Sequence, residues 1–500
     1  MVKKALLYHP DDNVVTTLEK MEIGDSVDVD NKLLDLKLLD SLPAGHKVAI
    51  EDVEAGGFIV KYGQPIGQAT SFIPKGSHVH THNVKDLISD WRTFRKGTKA
   101  SAEVKEVSDS FILKDAPRLY GYRRKDGRVG FRNHLLVMST VICANQVVEQ
   151  IGEKYHDVVA LTQGSGCVIL PNETERIRTV LLGMAKNPNV GAVIYVGLGC
   201  ENIDSQWLAE QMKNEKPSAF VRIQDEGSTP AAFIAASRLV EEMLATLEKE
   251  ERTEAAMSDI VLATKCGGSD WTSAVVSNPS IGYVSDIVVK GGGISMIGET
   301  CGWFGGENEL IKRARNKRVA DQIMRLLDEI YDKSLAVGRR IDEGNPTPGN
   351  KEGGITTLVE KALGNVKKGG TAPIEGVLRF GEYPSGKGFY VCENAGLDPV
   401  SLAGLTCSSA NIILFSTGRG TPTGTPVVPA IKISASPHTC ATFSTHLDVD
   451  ISGTVRGEMS IEDAGRLLFD ELVAVANGKK VKAEIFRNRE FTMPLLMGAM

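Results

Sequence analysis

From about residue 117 onward, apolar runs of strand length alternate with longer stretches of helical character, and this alternation limits the possible fold more than any other feature. The runs within HDVVALTQGSGC and GAVIYVGLGCEN have the length of buried strands. By contrast, NQVVEQIGEKY and AAFIAASRLVEEMLATLEKEE have apolar residues at helical spacing. Such an alternation is typical of parallel sheets covered by helices. The sequence therefore predicts an α/β fold with mainly parallel sheets.

Changes in composition divide the chain into a small β-rich domain and two α/β domains. Residues 1–95 contain short apolar runs interrupted by Gly and Pro, the pattern of a compact β unit. Residues 96–116 are polar and weakly periodic, which indicates a linker. The α/β domains are predicted at residues 117–250 and 258–500, separated by the charged break EKEERTEAAMSD.

Charge and cysteine content exclude several classes of protein. The chain has 500 residues, a net charge of −6 and a pI near 5.9, which argues against nucleic acid or a membrane surface as a partner. Eight cysteines are too few for a disulfide scaffold of this length. The sequence contains no apolar run long enough to span a membrane and no signal peptide. We therefore expect a cytoplasmic protein that binds a small molecule and forms a homo-oligomer, as metabolic enzymes often do.

Three of the nine histidines alternate in the segment GSHVHTHNV, at His78, His80 and His82. On a strand they would share one face, with neighbours about 6.6 Å apart, so two imidazoles could bind one ion through bonds of about 2.1 Å. The outer pair would be about 13 Å apart, so all three could reach one metal only if the chain bends near Thr81 or Asn83. The histidines are predicted to be metal ligands or acid/base groups, and a solvated polar face is the alternative.

Four cysteines follow strand-like runs at glycine-rich turns: Cys167, Cys200, Cys266 and Cys301. The C-terminal ends of parallel strands lie at one edge of a sheet, where ligands bind, so these cysteines are predicted to gather at one rim or at two facing rims. Their thiolates could bind iron or an iron–sulfur cluster. The alternative is that they are small buried residues, because cysteine is common in protein cores and no C-x2-C spacing is present.

Glycine loops with basic and polar side chains are predicted to bind an acidic substrate. In STGRGTPTGTP, the glycines expose backbone amides and Arg419 adds a guanidinium for a carboxylate. Near glycine turns further upstream, Lys351, Lys361 and Lys368 could each be a carboxylate clamp or a base, although a surface lysine is the simpler interpretation. The predicted substrate-binding residues are Arg132, Asn133, Ser269, Asp270, Arg419 and Thr421.

Several motifs, in the same order, resemble the altronate/galactarate dehydratase family. They are VKYGQPIG with GSHVHTHN, GYRRKDGRVGFRNHLLV, NPNVGAVIYVGLGCE, TKCGGSDWTSAVVSNPSIG, NPTPGNKEGGITTLVEKALGNVKKGGTAPIEGV and FSTGRGTPTGTPVVPAIKI. The N-terminal motifs look like the SAF-type β-clip domain of that family, and the resemblance covers nearly the whole chain. It implies a hydro-lyase that converts a sugar acid such as altronate or galactarate into a 2-keto-3-deoxy acid, with dependence on iron or a similar divalent ion.

The resemblance and the residue patterns together give specific site predictions. The predicted metal is Fe²⁺, with Mn²⁺ as a substitute and a 4Fe–4S cluster on Cys167, Cys200 and Cys266 as the alternative. The predicted metal ligands are His78, His80, Cys167, Cys200 and Cys266. The predicted catalytic residues are His78, His80, His82, Lys351 and Glu299.

Two segments depart from the family pattern and leave the substrate open. GETCGWFGGEN stands where the family usually has ETPE…GAE, and SASPHTCATFSTHLD also differs. The related sulfolactate sulfo-lyase shares the core but eliminates sulfite, and it normally carries the SAF part on a separate chain. Fusion of the parts here favours the sugar-acid branch. The alternative functions are a sulfolactate-type carbon–sulfur lyase that releases sulfite and a non-catalytic sugar-acid-binding protein.

Overall fold

The structure is a computed structural model that describes residues 2–29, 32–96, 101–113 and 115–494. Its N-terminal domain is built from short β-strands and ends with helix α1 (Trp91–Lys96). The strands are β1 (Val2–Leu6), β2 (Val14–Thr17), β3 (Ser26–Val29), β4 (Lys32–Lys37), β5 (Lys47–Ala49), β6 (Phe58–Lys61), β7 (Gln64–Ala69), β8 (His78–Val79) and β9 (Val84–Lys85). They form sheets with the orders β4-β3-β1-β2-β5-β8 and β6-β7-β9.

The second domain contains a parallel sheet of order β13-β12-β14-β15. Its strands are β10 (Leu119–Arg123), β11 (Val129–Gly130), β12 (His134–Ser139), β13 (Val158–Leu161), β14 (Val190–Gly197), β15 (Ser218–Arg222) and β16 (Thr253–Ala255). Its helices are α2 (Asn145–Lys154), α3 (Pro171–Lys186), α4 (Ser205–Met212), α5 (Ile223–Glu226) and α6 (Thr229–Leu247). A separate antiparallel sheet, β11-β10-β16, joins the beginning of this domain to its end.

The C-terminal domain contains the largest parallel sheet, of order β19-β20-β18-β17-β21-β22-β23. Its strands are β17 (Val261–Gly267), β18 (Ile294–Ile297), β19 (Ile374–Leu378), β20 (Gly388–Cys392), β21 (Ile412–Thr417), β22 (Ala430–Ser434) and β23 (Val449–Asp450). Its helices are α7 (Asn278–Lys290), α8 (Glu307–Arg313), α9 (Lys317–Ala336), α10 (Pro348–Glu352), α11 (Leu358–Asn365), α12 (Asp398–Cys407), α13 (Pro437–Thr442), α14 (Gly453–Arg456), α15 (Ile461–Ala476) and α16 (Lys482–Ile485). The predicted α/β fold with parallel sheets is confirmed.

Helix starts follow from local sequence. The Asp204 carboxylate accepts a hydrogen bond from the Gln206 amide at 2.9 Å and begins α4. Ser460 and Asp463 form a capping box at the start of α15, in which each side chain bonds to the backbone of the other. Thr357 caps α11 with its side chain, since its hydroxyl accepts from the Glu360 amide at 3.1 Å. The Thr357 cap begins α11, the helix that contributes most to the functional site described below.

Continuous apolar cores join the domains. Leu181 and Met184 of α3 belong to the same cluster of buried residues as Leu405 of α12 in the C-terminal domain. In a second cluster, Ile66 of the N-terminal domain packs with Leu358 of α11. Because protein interiors are closely packed, these shared cores fix the position of each domain relative to the others.

The predicted linker follows the surface of the C-terminal domain. The Glu103 amide donates to the Lys312 carbonyl at 2.7 Å, and Val107 is buried. Residues 97–100 and 114 of the predicted linker lie outside the described residues, as do residues 1, 30, 31 and 495–500 of the predicted domains. In the part of the chain that the structure describes, no helix combines the length and apolarity needed to cross a membrane.

Candidate functional site

A cavity of about 510 Å³ lies at the C-terminal ends of β17 and β18 in the C-terminal domain. We call it the central cavity. Its position is the one at which open parallel sheets bind ligands. Glycine turns form much of its wall, which brings backbone amides to the surface. The polar lining residues include Cys266, Ser269, Glu299, Cys301, Asn345, Thr347, Asn350, Lys361, Asn365, Asp398 and Thr423.

Glu299 is held between two buried lysines at the floor of this cavity. Lys265 Nζ lies 2.5 Å from Glu299 Oε1, and Lys368 Nζ contacts Glu299 Oε2. The Cys266 amide also donates to Glu299 Oε2, and Asp398 accepts from Lys265 at 2.9 Å. Burial alone would raise the pKa of Glu299, but the two ammonium groups lower this pKa to about 2. Glu299 is therefore a carboxylate whose oxygens are both occupied by the protein.

Lys361 is a lysine that lines the central cavity and has a shifted pKa. It lies on α11, one turn before Asn365, and both residues line the cavity. Lys361 Nζ donates to Asn345 Oδ1 at 2.7 Å and to Asn350 Oδ1 at 2.9 Å. Burial lowers the pKa of Lys361, although Glu299 opposes this shift. An uncharged amine has two N–H bonds, so both would be used by the asparagines while the lone pair stays available.

Two of the predicted cysteines line the central cavity and two do not. Cys266 is buried, with its Sγ 2.7 Å from Ser269 Oγ. Cys301 follows β18, and a Cβ on Gly396 would lie only 2.7 Å from Cys301 Sγ, so a larger residue at 396 would displace the thiol. Cys167 and Cys200 are exposed at the corresponding edge of the sheet in the second domain.

The histidine cluster comprises His46, His78, His80 and His82, with neighbouring ring centroids between 4.7 and 5.4 Å apart. The chain bends directly after β8, so the three predicted histidines do not lie along one straight strand. Asn83 fixes the bend, because its amide accepts from the His80 N–H at 2.9 Å and donates to the His78 carbonyl at 2.8 Å. The structure thus has the bend that a shared site would need.

Backbone partners define the proton positions on two of these rings. His46 Nε2 lies 3.2 Å from the Glu352 carbonyl, which can only accept, so Nε2 carries the proton and Nδ1 of the neutral ring is left with a lone pair. His80 Nε2 donates to the Lys351 carbonyl at 2.8 Å, and its Nδ1 accepts from the Thr81 amide at 2.6 Å. Both nitrogens of His80 are therefore engaged by the backbone.

His46 and His78 are joined by a hydrogen bond from His78 Nε2 to His46 Nδ1, and the same two nitrogens have the spacing of a ligand pair. His46 Nδ1 and His78 Nε2 are 2.9 Å apart. Two neighbouring ligands of an octahedral ion with bonds of about 2.1 Å would be about 3.0 Å apart. Among the described residues, no three His, Cys, Asp or Glu side chains are arranged to hold a metal ion. A metal bound by this pair would therefore keep other positions for water or substrate.

Burial and nearby basic groups keep His78 and His80 neutral. Burial, together with the neighbouring His46, His80 and His82, lowers the pKa of His78 to about 3. Burial and Lys47 lower the pKa of His80 to about 4. Both rings are thus uncharged at neutral pH.

A second buried triad attaches the histidine cluster to the C-terminal domain. Lys47, next to His46, donates to Glu360 at 2.9 Å and to the Gly354 carbonyl at 2.8 Å, and Lys61 binds the same carboxylate at 2.8 Å. Gly354 has φ +89°, and a Cβ there would lie 2.2 Å from the Gly45 carbonyl oxygen, so only glycine permits this approach. Segment 345–354 therefore gives backbone carbonyls to the histidines and side chains to the central cavity.

Some predicted substrate-binding residues lie elsewhere and have structural partners. Arg132 binds Glu484 through two hydrogen bonds, at 2.6 and 2.8 Å, and also binds backbone carbonyls. The Asn133 side chain accepts from Arg124 at 2.9 Å. Neither residue lines the central cavity. Arg132 uses all of its donors within the protein and therefore has none left to clamp a ligand. Asn133 lies outside the cavity as well.

The remaining predicted residues lie near the cavity with different roles. Ser269 lines it directly, whereas Asp270 is buried behind it and accepts from Thr272 at 2.7 Å. Arg419 pairs with Glu352 at 2.8 Å, and Thr421 bonds to the lining residue Thr423 at 3.0 Å. Lys351 contributes its carbonyl to His80, and its side chain does not line the cavity.

Sequence reasoning missed His46, Lys265 and Asp398. Lys361 and Lys368 were candidates, but the sequence offered no reason to prefer them to Lys351. A signal for Lys265 was present, because a lysine inside the apolar run IVLATKC must be buried on a strand and needs a carboxylate partner. His46 gave no such signal, since it lies 32 residues before His78, in the loop directly before β5.

Comparison with known proteins gives matches along the whole chain. Residues 3–87 match the altronate/galactarate dehydratase SAF domain. Residues 121–248 match the D-galactarate dehydratase/altronate hydrolase second domain. Residues 257–497 match the D-galactarate/altronate dehydratase C-terminal domain.

Individual relatives are similar over most of their length. The altronate dehydratase of Bacillus subtilis is 30% identical over 495 residues, covering 97% of both chains. The L-threo-forming galactarate dehydratase of Escherichia coli is 32% identical over 470 residues, covering 89% of this chain and 88% of the relative. The (2R)-sulfolactate sulfo-lyase subunit beta of Chromohalobacter salexigens is 33% identical over 387 residues, covering 75% of this chain and 97% of the relative.

Proposed function

This chain belongs to the altronate/galactarate dehydratase family and is a hydro-lyase, and we propose that it removes water from a sugar acid of the altronate or galactarate type to give a 2-keto-3-deoxy acid. The observation that carries this proposal is that similarity to the dehydratases extends through all three domains, including the segments that form the central cavity. The proposal includes a cytoplasmic location and a homo-oligomeric state, which are common for metabolic enzymes.

Lys361 is the proposed base that takes the proton from C2 of the substrate. The hydrogen bonds to Asn345 and Asn350 hold its amine in one orientation, with the lone pair available to the cavity. Burial disfavours the charged form, so the uncharged amine that a base requires is reached more easily than in water. Positioned bases of this kind contribute about 10²- to 10⁴-fold to a rate.

Lys361 alone can carry the proton through the whole elimination. The C2–H bond breaks, and its proton moves to Lys361 Nζ. The electron pair forms the C2–C3 double bond while the C3–O bond breaks, and the leaving hydroxyl takes the proton from Lys361 to depart as water. The enol then becomes the 2-keto-3-deoxy acid. The turn 267–269 faces the cavity and is the proposed seat of the substrate carboxylate, because glycine turns expose backbone amides to anions.

A divalent ion of the iron type is proposed to bind to His46 and His78. The spacing of His46 Nδ1 and His78 Nε2 suits two ligands of one ion, and His82 lies next to His78. Once bound, the ion would supply a Lewis acid that polarises a substrate oxygen. This assignment replaces His80 by His46, because both ring nitrogens of His80 are occupied by the backbone.

The 4Fe–4S alternative has less support. It requires Cys167, Cys200 and Cys266 to converge, but Cys266 lies in the central cavity and the other two are exposed at the edge of another sheet. Iron and acid-labile sulfide, measured on protein purified without oxygen, separate the two possibilities. We expect one iron per chain without sulfide, and several irons with equal sulfide would reverse the assignment.

The activity test is to incubate the full-length, Fe²⁺-loaded protein with D-altronate, galactarate and (2R)-sulfolactate in parallel. Formation of a 2-keto-3-deoxy acid from a sugar acid, seen as loss of one water by mass spectrometry, is the expected result. A folded, metal-loaded protein that dehydrates neither sugar acid would overturn the proposal.

Carbon–sulfur elimination is the second candidate, because similarity to the sulfo-lyase β subunit covers nearly all of that subunit. The same proton abstraction by Lys361 would serve it, with sulfite as the leaving group instead of water. Sulfite release from (2R)-sulfolactate without dehydration of the sugar acids would favour this candidate.

A further inference from the structure

A second cavity, of about 480 Å³, lies where the N-terminal domain meets the C-terminal domain. We call it the tyrosine cavity, because Tyr8 and Tyr62 form one of its walls. The cations Lys367, Lys312, Arg313 and Lys105 also line it, together with the carboxylates Glu103 and Glu309. None of these residues lines the central cavity, so the two cavities are separate.

Lys367 is unusual among the lysines of the interior. Its fully buried neighbour in sequence, Lys368, binds Glu299, and Lys47 and Lys61 both bind Glu360. Within the described residues, Lys367 Nζ has no hydrogen bond or ion pair. It lies instead over the Tyr62 ring, 4.2 Å from the centroid, and 6.0 Å from the centroid of Tyr8. Lys367 is half-buried, and an ammonium in this position without an oxygen partner is costly, so an anion in the cavity would be stabilised there.

The charges around Lys367 leave it without compensation. Asp12 and Glu309 attract it only at a distance, and Glu309 already accepts from Lys312 at 3.1 Å and from Gln64 at 2.8 Å. Lys61 repels it, since both ammonium groups face the same pair of rings. Burial and this repulsion lower the pKa of Lys367 to about 8.

The backbone of Tyr62 is a second, independent sign of a built site. Tyr62 and Gly63 form the turn between β6 and β7, with φ values of 63° and 69°. Glycine and asparagine accept this left-handed region easily, but tyrosine is uncommon in it. Retaining tyrosine here places its ring against Lys367 and in the wall of the cavity, and strained residues of this kind cluster at ligand sites.

We propose that the tyrosine cavity binds a small organic or inorganic anion, a carboxylate or phosphate compound, through Lys367 against the Tyr8–Tyr62 wall. The volume suits a metabolite rather than a macromolecule. Bound there, the anion contacts both the N-terminal and the C-terminal domain. It therefore strengthens the docking that also places the histidine cluster against segment 345–354.

Isothermal titration of the full-length protein with succinate and with inorganic phosphate tests this site without turnover. Binding of either probe is expected to weaken about ten- to a hundredfold in Lys367→Met, the range expected for losing one charged hydrogen bond. Lys351→Met should bind the probe as the wild type does, because the Lys351 side chain lines neither cavity. Binding of succinate alone identifies a carboxylate site, and binding of phosphate alone identifies a phosphate site.

Lysine acetylation of the wild-type protein, read by mass spectrometry, keeps the test valid if Lys367→Met fails to fold. The bound probe should protect Lys367 from the reagent and leave the exposed Lys75 unprotected. Equal binding by Lys367→Met, loss of binding in Lys351→Met, or no protection of Lys367 by either probe at millimolar concentration would overturn the proposal.

Discussion

Two buried triads have the same composition, a glutamate between two lysines, but different surroundings. Lys47–Glu360–Lys61 joins the N-terminal domain to α11, and its ionic groups face only protein. Lys265–Glu299–Lys368 lies within the C-terminal domain, and its glutamate borders the central cavity. The first triad therefore stabilises an interface, whereas the second lies under the proposed reaction site.

The difference shows that a perturbed pKa does not by itself mark a catalytic group. The pKa of Glu360 and that of Glu299 are both lowered to about 2, each by two lysines that outweigh burial. Only access to a cavity separates the two glutamates. Lys361, which follows Glu360 directly, has that access and an available lone pair, and this combination makes it the proposed base.

Replacing Lys361 by methionine should have the largest effect on activity. The variant keeps the length and apolar character of the side chain but cannot accept a proton, so kcat should fall about 10³-fold. Steady-state kinetics measure the fall in kcat, and a thermal unfolding curve measures whether the variant remains folded. Lys351→Met is the matched control. A fall in kcat as large in Lys351→Met as in Lys361→Met would contradict the assignment of Lys361 as the base.

Replacing either triad glutamate by glutamine should cost about 3–5 kcal/mol in the free energy of unfolding, because each change leaves two buried lysines without their carboxylate. Chemical denaturation measures this loss. The activity of the folded fraction should separate the pair, since Glu299→Gln disturbs the cavity and Glu360→Gln loosens the N-terminal domain. Equal activity losses per folded molecule would contradict the division into an interface triad and a cavity triad.

Removing a histidine of the proposed ligand pair should weaken metal binding at least about ten- to a hundredfold, the range seen even for groups that only support metal ligands. His46→Ala and His78→Ala are compared with His80→Ala, in which the pair remains. Metal content after dialysis and competition with a chelator provide the measurement. Retention of metal by His46→Ala, or loss of metal only in His80→Ala, would contradict the His46–His78 pair and favour His80 as a ligand, as predicted from the sequence.

Replacing Cys301 by serine should have the smallest effect, a change of less than about tenfold in the preference between altronate and galactarate. Cys301 lies in the cavity wall at a position where the sequence departs from the family pattern, and exchanging its thiol for a hydroxyl should lie at the lower end of the about 1–3 kcal/mol that one altered pocket contact is worth. The ratio of kcat/KM values for the two substrates measures it. A loss of activity equal to that of Lys361→Met would instead place Cys301 in the chemistry.

The fold was predictable because its signal is local. Strand-length runs followed by glycine turns placed Cys266 and Cys301 at the correct sheet edge, since strand direction in a parallel sheet needs no knowledge of distant residues. The resemblance to the dehydratases carried the same information for the domain order.

The site was only partly predictable because its contacts are distant in sequence. His46 joins His78 across 32 residues, and the His80 ring is used by the backbone of Lys351, which no sequence pattern reveals. The choice between Lys351 on α10 and Lys361 on α11 depends on which of the two side chains meets the cavity, and that is set by packing of the whole domain. Arg132 is a further example, since its partner Glu484 lies 352 residues away and the sequence does not reveal that this arginine is already paired.

The central claim is that Lys361 removes the C2 proton in the central cavity. Exchange of that proton with solvent measures this step directly. The sugar acid that the wild type accepts is incubated in D₂O with wild type and with Lys361→Met, and the recovered substrate is analysed by NMR for deuterium at C2. We expect deuterium from the wild-type reaction and none above background from Lys361→Met, although the variant still binds the substrate. Exchange by Lys361→Met at the wild-type rate would contradict the claim and place the base elsewhere.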